Sequence, residues 1–193
     1  MAQERHELAV AVIGGSARAG RFGPAVVAWT ADQAGRRDDM VADVVDVADA
    51  ELPWDMGGYG ADPTPGPLAP RLEAADAFVV VTPEYNHSYP AALKNLIDWH
   101  RREWQAKPVA FVSYGALSGG LRAVEHLRGV FAELHAVTVR DTVSFQNAWE
   151  RFDAAGRPVE TEGCERAAKT MLDQLAWWGH ALRDARAARP YAA

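Results

Sequence analysis

The stretch VVVTPEYNHSYPAALKNLIDW, from Val79 to Trp99, joins an apolar run to a helical pattern through an unusually polar turn. The apolar run belongs to DAFVVVTPEY, whose continuous hydrophobic character is typical of a strand buried on both faces. The residues after the turn predict a helix over about Pro90 to Glu103, with Ser88 as its N-cap and Pro90 in its first turn. Capping explains Ser88 and Pro90, but it leaves the preceding Glu-Tyr-Asn unexplained.

Strand patterns of the same kind occur on both sides of this stretch. They lie, in chain order, in ELAVAVIGG, MVADVVDVADAELP, KPVAFVSYG and AVTVRDTVSF. In the second of these, Val41, Val45 and Val47 alternate with Asp43 and Asp46, which is typical of a half-buried or edge strand.

Helical patterns separate most of these strands. Pro24 suits the first turn of the first helix, and the last helix is expected over about Cys164 to Arg186. WDMGGYGADPTPGPLAP contains too much Gly and Pro for a regular element and predicts a loop. Strands that alternate with helices indicate a parallel sheet with helices on both faces, connected by right-handed crossovers into a doubly wound α/β fold.

The composition limits the classes of protein that the chain can represent. With 193 residues and 21.0 kDa, the chain is expected to form a single domain over residues 1–193. A net charge of −6 argues against a general nucleic-acid surface. One cysteine cannot form an internal disulfide, and neither a signal peptide nor a membrane span is apparent, so we expect a cytoplasmic protein. The six histidines show no metal-ligand spacing, so no metal is expected.

Three loops follow strands at the edge where a doubly wound sheet binds its ligand. They cover Gly14 to Gly23, Thr82 to Tyr89 and Ser113 to Gly120. Since the carboxyl ends of parallel strands lie at one edge, the three loops are expected to form one site.

The first of these loops, GGSARAGRFGP, combines a helix start with Ser16, Arg18 and Arg21, which are suitable donors to phosphate. It lacks the Lys-Ser/Thr pair of a Walker loop, the dinucleotide pattern G-x-G-x-x-G and the nucleophile-elbow pattern G-x-S-x-G. What remains is a site for a single terminal phosphate. An ordinary turn with two solvated arginines is the alternative that this loop alone leaves open.

The second and third loops have the residue types that a flat heteroaromatic ligand requires. TPEYNHSYP offers backbone polar groups for the edge of a ring and aromatic cover for its face. SYGALSGGLRA contains Gly115, Gly119 and Gly120, which allow close approach of the backbone and positive φ. Helix capping for the second loop and a flexible turn for the third are the alternatives.

The sequence resembles the NAD(P)H-dependent FMN reductase family from about Leu8 to Trp178. PEYNHSYPAALKNLIDW is close to the family pattern P-E-Y-N-x-S-x-P-x-x-L-K-N. GSARAGR is similar to the family's phosphate loop, and SYGALSGGLRA to its third, glycine-rich loop. The resemblance implies a flavodoxin-like fold, with a three-layer, doubly wound, five-stranded parallel sheet of strand order 2-1-3-4-5.

The resemblance also implies which residues of this chain bind FMN. Those around the phosphate are Ser16, Arg18, Arg21, Phe22 and Gly23. Those that line the ring are Pro83, Glu84, Tyr85 and Asn86, with Ser113, Gly115 and Gly119 at its other edge. Many members carry Ser and Asn near the end of the first loop, where this chain has Arg21 and Gly23. We expect phosphate binding to be retained with a charged donor in place of neutral ones.

The activity that the resemblance implies is transfer of hydride from NADPH or NADH to FMN and then to a small acceptor such as a flavin or quinone. The flavin carries this chemistry, so no catalytic side chain is expected. A flavodoxin-like electron carrier that binds FMN without NAD(P)H turnover is the alternative. A more distant alternative is a degenerate fold that serves only as an interaction module.

The tryptophans bear on assembly. One helical side is expected to face the core, and it carries Leu93, Leu96, Ile97, His100 and Trp104. Trp99 lies off this stripe, where an exposed aromatic would suit a subunit contact. By resemblance to the family, a homodimer or homotetramer is expected.

Overall fold

The computed structural model describes residues 7–55 and 68–192 and contains a five-stranded, all-parallel sheet with strand order β2-β1-β3-β4-β5. The strands are β1 (Leu8–Gly14), β2 (Met40–Asp46), β3 (Ala77–Pro83), β4 (Pro108–Gly115) and β5 (Val137–Gln146). The predicted fold class and strand order are therefore confirmed. β3 is buried along its whole length, as expected for a central parallel strand.

Helices cover both faces of the sheet. They are α1 (Gly23–Gly35), α2 (Ala69–Ala74), α3 (Ala91–Trp99), α4 (Leu121–Glu133), α5 (Ala148–Arg151) and α6 (Thr161–Ala188). One apolar core joins the sheet to α1 and α6, and a second joins the opposite face to α2, α3 and α4. Within the described ranges, none of the helices is long and apolar enough to cross a membrane.

Most helix predictions are confirmed near their expected places, and Pro24 lies in the first turn of α1 as predicted. The predicted helix over Pro90 to Glu103 is wrong over its last four residues, because His100 adopts extended angles (φ −124°, ψ 106°) and ends α3. A separate 3₁₀ turn, Arg102–Trp104, follows. The last helix extends about three residues beyond its predicted start, to Thr161.

The segment predicted as a loop and strand β2 each differ in part from what the sequence predicts. The proline-rich segment predicted as a loop ends in helix α2, although its residues 56–67 lie outside the described residues. β2 is an edge strand as predicted, and Val45 and Val47 are buried, but Val41 is 53% exposed. Its outer edge has no neighbouring strand in the described sheet, so the side chains there are less completely covered.

The predicted core stripe of α3 and the following turn is confirmed. Its five residues, Leu93, Leu96, Ile97, His100 and Trp104, are fully buried. Trp99 is only half-buried, and its indole N–H donates to the carbonyl oxygen of Pro53 at 2.8 Å. This tryptophan is therefore tied to its own chain and is not the fully exposed aromatic that the pattern suggested.

Candidate functional site

The three predicted loops meet at the carboxyl edge of the sheet. The backbone N–H of Gly15 donates to Val81 at 2.8 Å, which joins the first loop to β3. The N–H of Glu84 donates to Tyr114 at 3.2 Å, which joins the second loop to β4. A cavity of about 390 Å³ opens between the loops. Its volume is within the usual range of small-molecule sites.

The first loop presents unpaired donors at the start of α1. Within the described chain, the backbone N–H groups from Ser16 to Gly20 have no protein acceptor. The guanidinium of Arg18 has no acidic partner among the described residues and lies 5.6 Å from the ring centroid of Tyr85. Free amides, a free cation and the positive end of a helix together favour an anion at this position.

Arg21, in contrast, already has an anionic partner. Its Nη2 lies 2.6 Å from Oδ2 of Asp46, at the end of β2, and both side chains are about one fifth exposed. The other oxygen of Asp46 accepts the N–H of Ala48 at 3.0 Å. Asp46 was identified in the sequence only as a polar residue of β2, so its role beside the first loop was missed.

Ser16 and Tyr85 connect the first loop to the second. Ser16 is buried, and its hydroxyl lies 2.7 Å from that of Tyr85. Because Arg18 also lies over the Tyr85 ring, this tyrosine contacts the proposed phosphate loop through both its hydroxyl and its face.

The polar turn that follows β3 is a tight two-residue hairpin. Tyr85 and Ser88 exchange backbone hydrogen bonds of 2.8 and 3.1 Å. The two central residues, Asn86 and His87, have φ of 49° and 72°. Positive φ at both central residues is the pattern of a type I′ turn, and positive φ is uncommon for residues other than glycine, although Asn and His are enriched among them. Backbone strain of this kind is concentrated at functional sites.

The turn accounts for a wrong prediction about capping. The N-cap of α3 is Pro90, with no side-chain cap, and Ser88 does not occupy that position. Ser88 is held in the hairpin instead, and its hydroxyl lies 2.9 Å from Nδ1 of His126 on α4.

Glu84 joins the second loop to the third. Its carboxylate accepts the Ser118 hydroxyl at 2.8 Å and the Arg122 guanidinium at 2.8 Å, and its side chain is 9% exposed. Burial by itself would raise the pKa of Glu84, but the hydrogen bonds from Arg122 and Ser118 outweigh burial and hold this pKa below its ordinary value. Glu84 is therefore a charged link between loops, and Arg122 is a partner that the sequence did not reveal.

The third loop is shaped by hydrogen bonds and glycine conformation. The hydroxyls of Ser113 and Ser144 both donate to the carbonyl oxygen of Gly119, at 2.8 and 2.9 Å. Gly119 and Gly120 have φ of 60° and 86°, and a Cβ on Gly120 would lie 2.8 Å from that of Ser113. Ser113 and Gly119 hold the backbone of this loop in place.

The predicted site residues fall into two groups around the cavity. Those that line it are Arg18, Arg21, Phe22, Pro83, Glu84, Tyr85 and Gly115. Those that are not part of its lining are Ser16, Gly23, Asn86, Ser113 and Gly119. Sequence reasoning missed six residues of the lining, of which two are large, Tyr114 and Trp149, and four are small, Ala19, Gly20, Ala116 and Ala148. Tyr114 was detectable, because it lies between two residues that were predicted.

A parallel sheet of order 2-1-3-4-5, with helices on both faces, defines a flavodoxin-like protein. The family model for NADPH-dependent FMN reductase matches residues 8–150. The chain belongs to this family, and the predicted resemblance is confirmed. FMN with NAD(P)H as co-substrate is likewise the cofactor assignment that the family supports.

Individual relatives agree with this assignment. The chain is 34% identical to a 2-hydroxy-1,4-benzoquinone reductase from Burkholderia sp., over 93% of this chain and 98% of that protein. It is 35% identical to an NAD(P)H-dependent FMN reductase from Schizosaccharomyces pombe, over 58% of this chain. That match spans only 60% of the yeast protein.

One solved structure is similar to this chain over most of the length of both proteins. FerB, a flavoenzyme NAD(P)H:(acceptor) oxidoreductase from Paracoccus denitrificans, superposes with a TM-score of 0.72 at 25% identity. The superposition covers 90% of this chain and 98% of FerB.

Proposed function

We propose that this protein is an NAD(P)H-dependent oxidoreductase that binds FMN at the carboxyl edge of its sheet and reduces a quinone or a flavin. The observation that carries the proposal is the row of amides from Ser16 to Gly20 beside the Arg18 guanidinium, for which the described residues provide neither an amide acceptor nor an acidic partner. These groups match a phosphate in charge and in hydrogen-bonding capacity. They adjoin the cavity of about 390 Å³ that extends towards the second and third loops.

The phosphate would lie against the first loop. Ser16, Arg18 and the backbone at Phe22 and Gly23 would surround it, with Arg18 as the uncompensated charge. Arg21 would contribute as a member of an ion pair, because Asp46 neutralises much of its charge. The first loop therefore fits a phosphate, because no carboxylate among the described residues has to move away from Arg18 before the phosphate binds.

The ring would lie between the second and third loops. Pro83, Glu84, Tyr85 and Gly115 line the cavity there. Asn86 would act through the tight turn that it forms, whereas Ser113 and Gly119 would act by fixing the third loop. FMN supplies hydride acceptance and donation when bound, and the side chains of this chain supply position and exclude water.

The proposed acceptor is a small quinone or flavin. The support for a quinone is the name of the Burkholderia relative, whose match extends over nearly the whole of both chains. An aromatic acceptor also suits the cavity wall, which includes Tyr85, Tyr114 and the 58% exposed Trp149. NADPH and NADH are both proposed as donors.

Assembly as a homodimer or homotetramer is proposed from the resemblance to the family. Large exposed aromatics on the described surface offer some support, and they include Trp54, Trp149 and Trp177. Sedimentation at micromolar concentration tests this point. A dimer or tetramer supports the proposal, whereas only a 21.0 kDa species contradicts it.

Anaerobic mixing tests the activity directly. The protein is loaded with FMN and mixed with NADPH or NADH, while flavin absorbance is recorded. We expect bleaching with at least one nucleotide at a rate far above that of free FMN, followed by recovery of absorbance when benzoquinone is added. Persistent oxidised absorbance with both nucleotides would contradict the reductase and favour an electron carrier. Failure to retain FMN at all would contradict both.

A further inference from the structure

Tyr114 is a buried tyrosine whose hydroxyl reaches the first loop from the sheet. The residue belongs to β4, is 6% exposed and lines the cavity. Its ring lies 6.2 Å from that of Phe22 in the first loop. The side chain therefore extends from the central part of the sheet to the loop that would hold the phosphate.

Gly23 makes room for this hydroxyl. A Cβ built on Gly23 would lie 2.6 Å from the Tyr114 oxygen, closer than Cβ atoms are found to approach other heavy atoms. The same Cβ would be 3.6 Å from Cζ of the ring, which is an ordinary contact. Only the hydroxyl of Tyr114 thus requires glycine at this first position of α1.

The chemistry of the hydroxyl suits an anion. Burial raises the pKa of Tyr114, and the nearby Tyr85 raises it further, so the phenol stays protonated and can donate a hydrogen bond. The hydroxyl lies beside Gly23 and interacts with the side chain of Ser16, whose backbone N–H has no protein acceptor among the described residues. A hydroxyl donor costs less to bury than a charged one when the site is empty.

We propose that the Tyr114 hydroxyl is a direct donor to the phosphate of FMN, and that Gly23 is required because it leaves space for this hydroxyl. This inference rests on the proposed function. It assigns to β4 a neutral donor that compensates for the absence of Ser and Asn near the end of the first loop. The phosphate would then be bound by the first loop and by β4, the strand that precedes the third loop.

Binding of FMN and riboflavin to Tyr114→Phe tests the first part of the proposal. The substitution removes one hydroxyl and keeps the ring, and fluorescence titration gives both dissociation constants. We expect FMN to bind about tenfold more weakly, as for loss of a hydrogen bond to a charged group, with riboflavin changed less than about twofold. The control is Tyr191→Phe, whose hydroxyl contacts His135, and neither residue lines the cavity. It should alter neither constant.

Gly23→Ala tests the second part in two backgrounds. In the Tyr114 protein the new methyl group displaces the hydroxyl, and FMN affinity should fall. In the Tyr114→Phe protein the same methyl group makes an ordinary contact, and a further loss of less than about twofold is expected.

The outcomes separate this inference from the proposed function. If wild-type protein binds FMN more tightly than riboflavin but Tyr114→Phe changes neither constant or weakens both equally, the role of Tyr114 is wrong and the proposed function stands. Equal losses for Gly23→Ala in both backgrounds overturn the role of Gly23. If the wild-type protein does not bind FMN, the proposed function is contradicted and this inference falls with it.

Discussion

The guanidinium of Arg21 lies 2.6 Å from the carboxylate of Asp46, so one of the two arginines of the first loop is already paired before any ligand arrives. The other, Arg18, has no acidic partner within the part of the chain that the structure describes. The two arginines of the sequence GSARAGR look equivalent, but a carboxylate neutralises much of the charge of Arg21 and not that of Arg18. Their substitution should have different effects.

Asp46→Asn should strengthen FMN binding. The aspartate places a negative charge beside the proposed phosphate site, and its removal frees Arg21 to interact with the anion. A gain of about 0.5–1 kcal/mol, or about threefold, is expected for a partly exposed charge. Riboflavin affinity should stay constant, and high salt should reduce the gain. Weaker FMN binding would show instead that Asp46 is needed to hold Arg21 in place.

Arg18→Ala should weaken FMN binding without weakening riboflavin binding. The substitution removes the uncompensated cation of the first loop, and hydrogen bonds to charged groups are worth about 1.5–3 kcal/mol. Arg140→Ala is a matched control, since its side chain is 89% exposed and pairs with Asp141 on β5. Isothermal titration calorimetry measures each constant. An equal loss for the two flavins would show that Arg18 does not contact the phosphate.

Glu84→Gln should destabilise the protein in a pH-dependent way. The folded-state pKa of Glu84 lies below its ordinary value of 4.5, so folding favours the charged carboxylate. The stabilisation is complete above that ordinary value and is lost as pH falls through the folded-state pKa. Loss of a pair with one buried member costs about 1–3 kcal/mol at pH 7.

Urea unfolding of wild type and Glu84→Gln at pH 7, 5, 4 and 3 measures this effect. The difference in free energy of unfolding should be largest at pH 7 and 5 and should shrink towards pH 3. A difference that stays constant over this series would mean that the Arg122 ion pair does not stabilise the fold.

Gly120→Ala should destabilise the third loop. Gly120 has φ of 86°, and its Cβ would lie 2.8 Å from that of Ser113. Left-handed strain and this contact together should cost at least about 2 kcal/mol. Gly129→Ala is the control, because Gly129 is inside α4 with no neighbour within 4 Å, and alanine should add about 0.5–1 kcal/mol of stability there. Thermal unfolding that gives the same sign for both variants would contradict the strain argument.

Much of the fold could be predicted because buried parallel strands leave a clear pattern. VAFVS and FVVVT are continuous apolar runs, and the helical spacing of Leu93, Leu96 and Ile97 identifies a core face. The position of the site at the carboxyl edge of the sheet could be predicted from the topology, since parallel strands all end on the same side. The three loops could therefore be assigned to one edge before their geometry was known.

The features that escaped prediction depend on contacts between distant residues. Asp46 meets Arg21 from 25 positions away, and Arg122 meets Glu84 from 38. Helix α2 is short and begins in a proline-rich segment, so neither periodicity nor propensity reveals it. Ser88 has the residue type of an N-cap, but the hairpin that holds it forms through backbone hydrogen bonds that carry no side-chain signature.

A crystal structure of the protein with FMN tests the central claim most directly. The account predicts a phosphate within hydrogen-bonding distance of the amides from Ser16 to Gly20 and of the Arg18 guanidinium, with the ring against Pro83 to Tyr85. FMN bound elsewhere, or with its phosphate in solvent and the first loop unchanged, would contradict it.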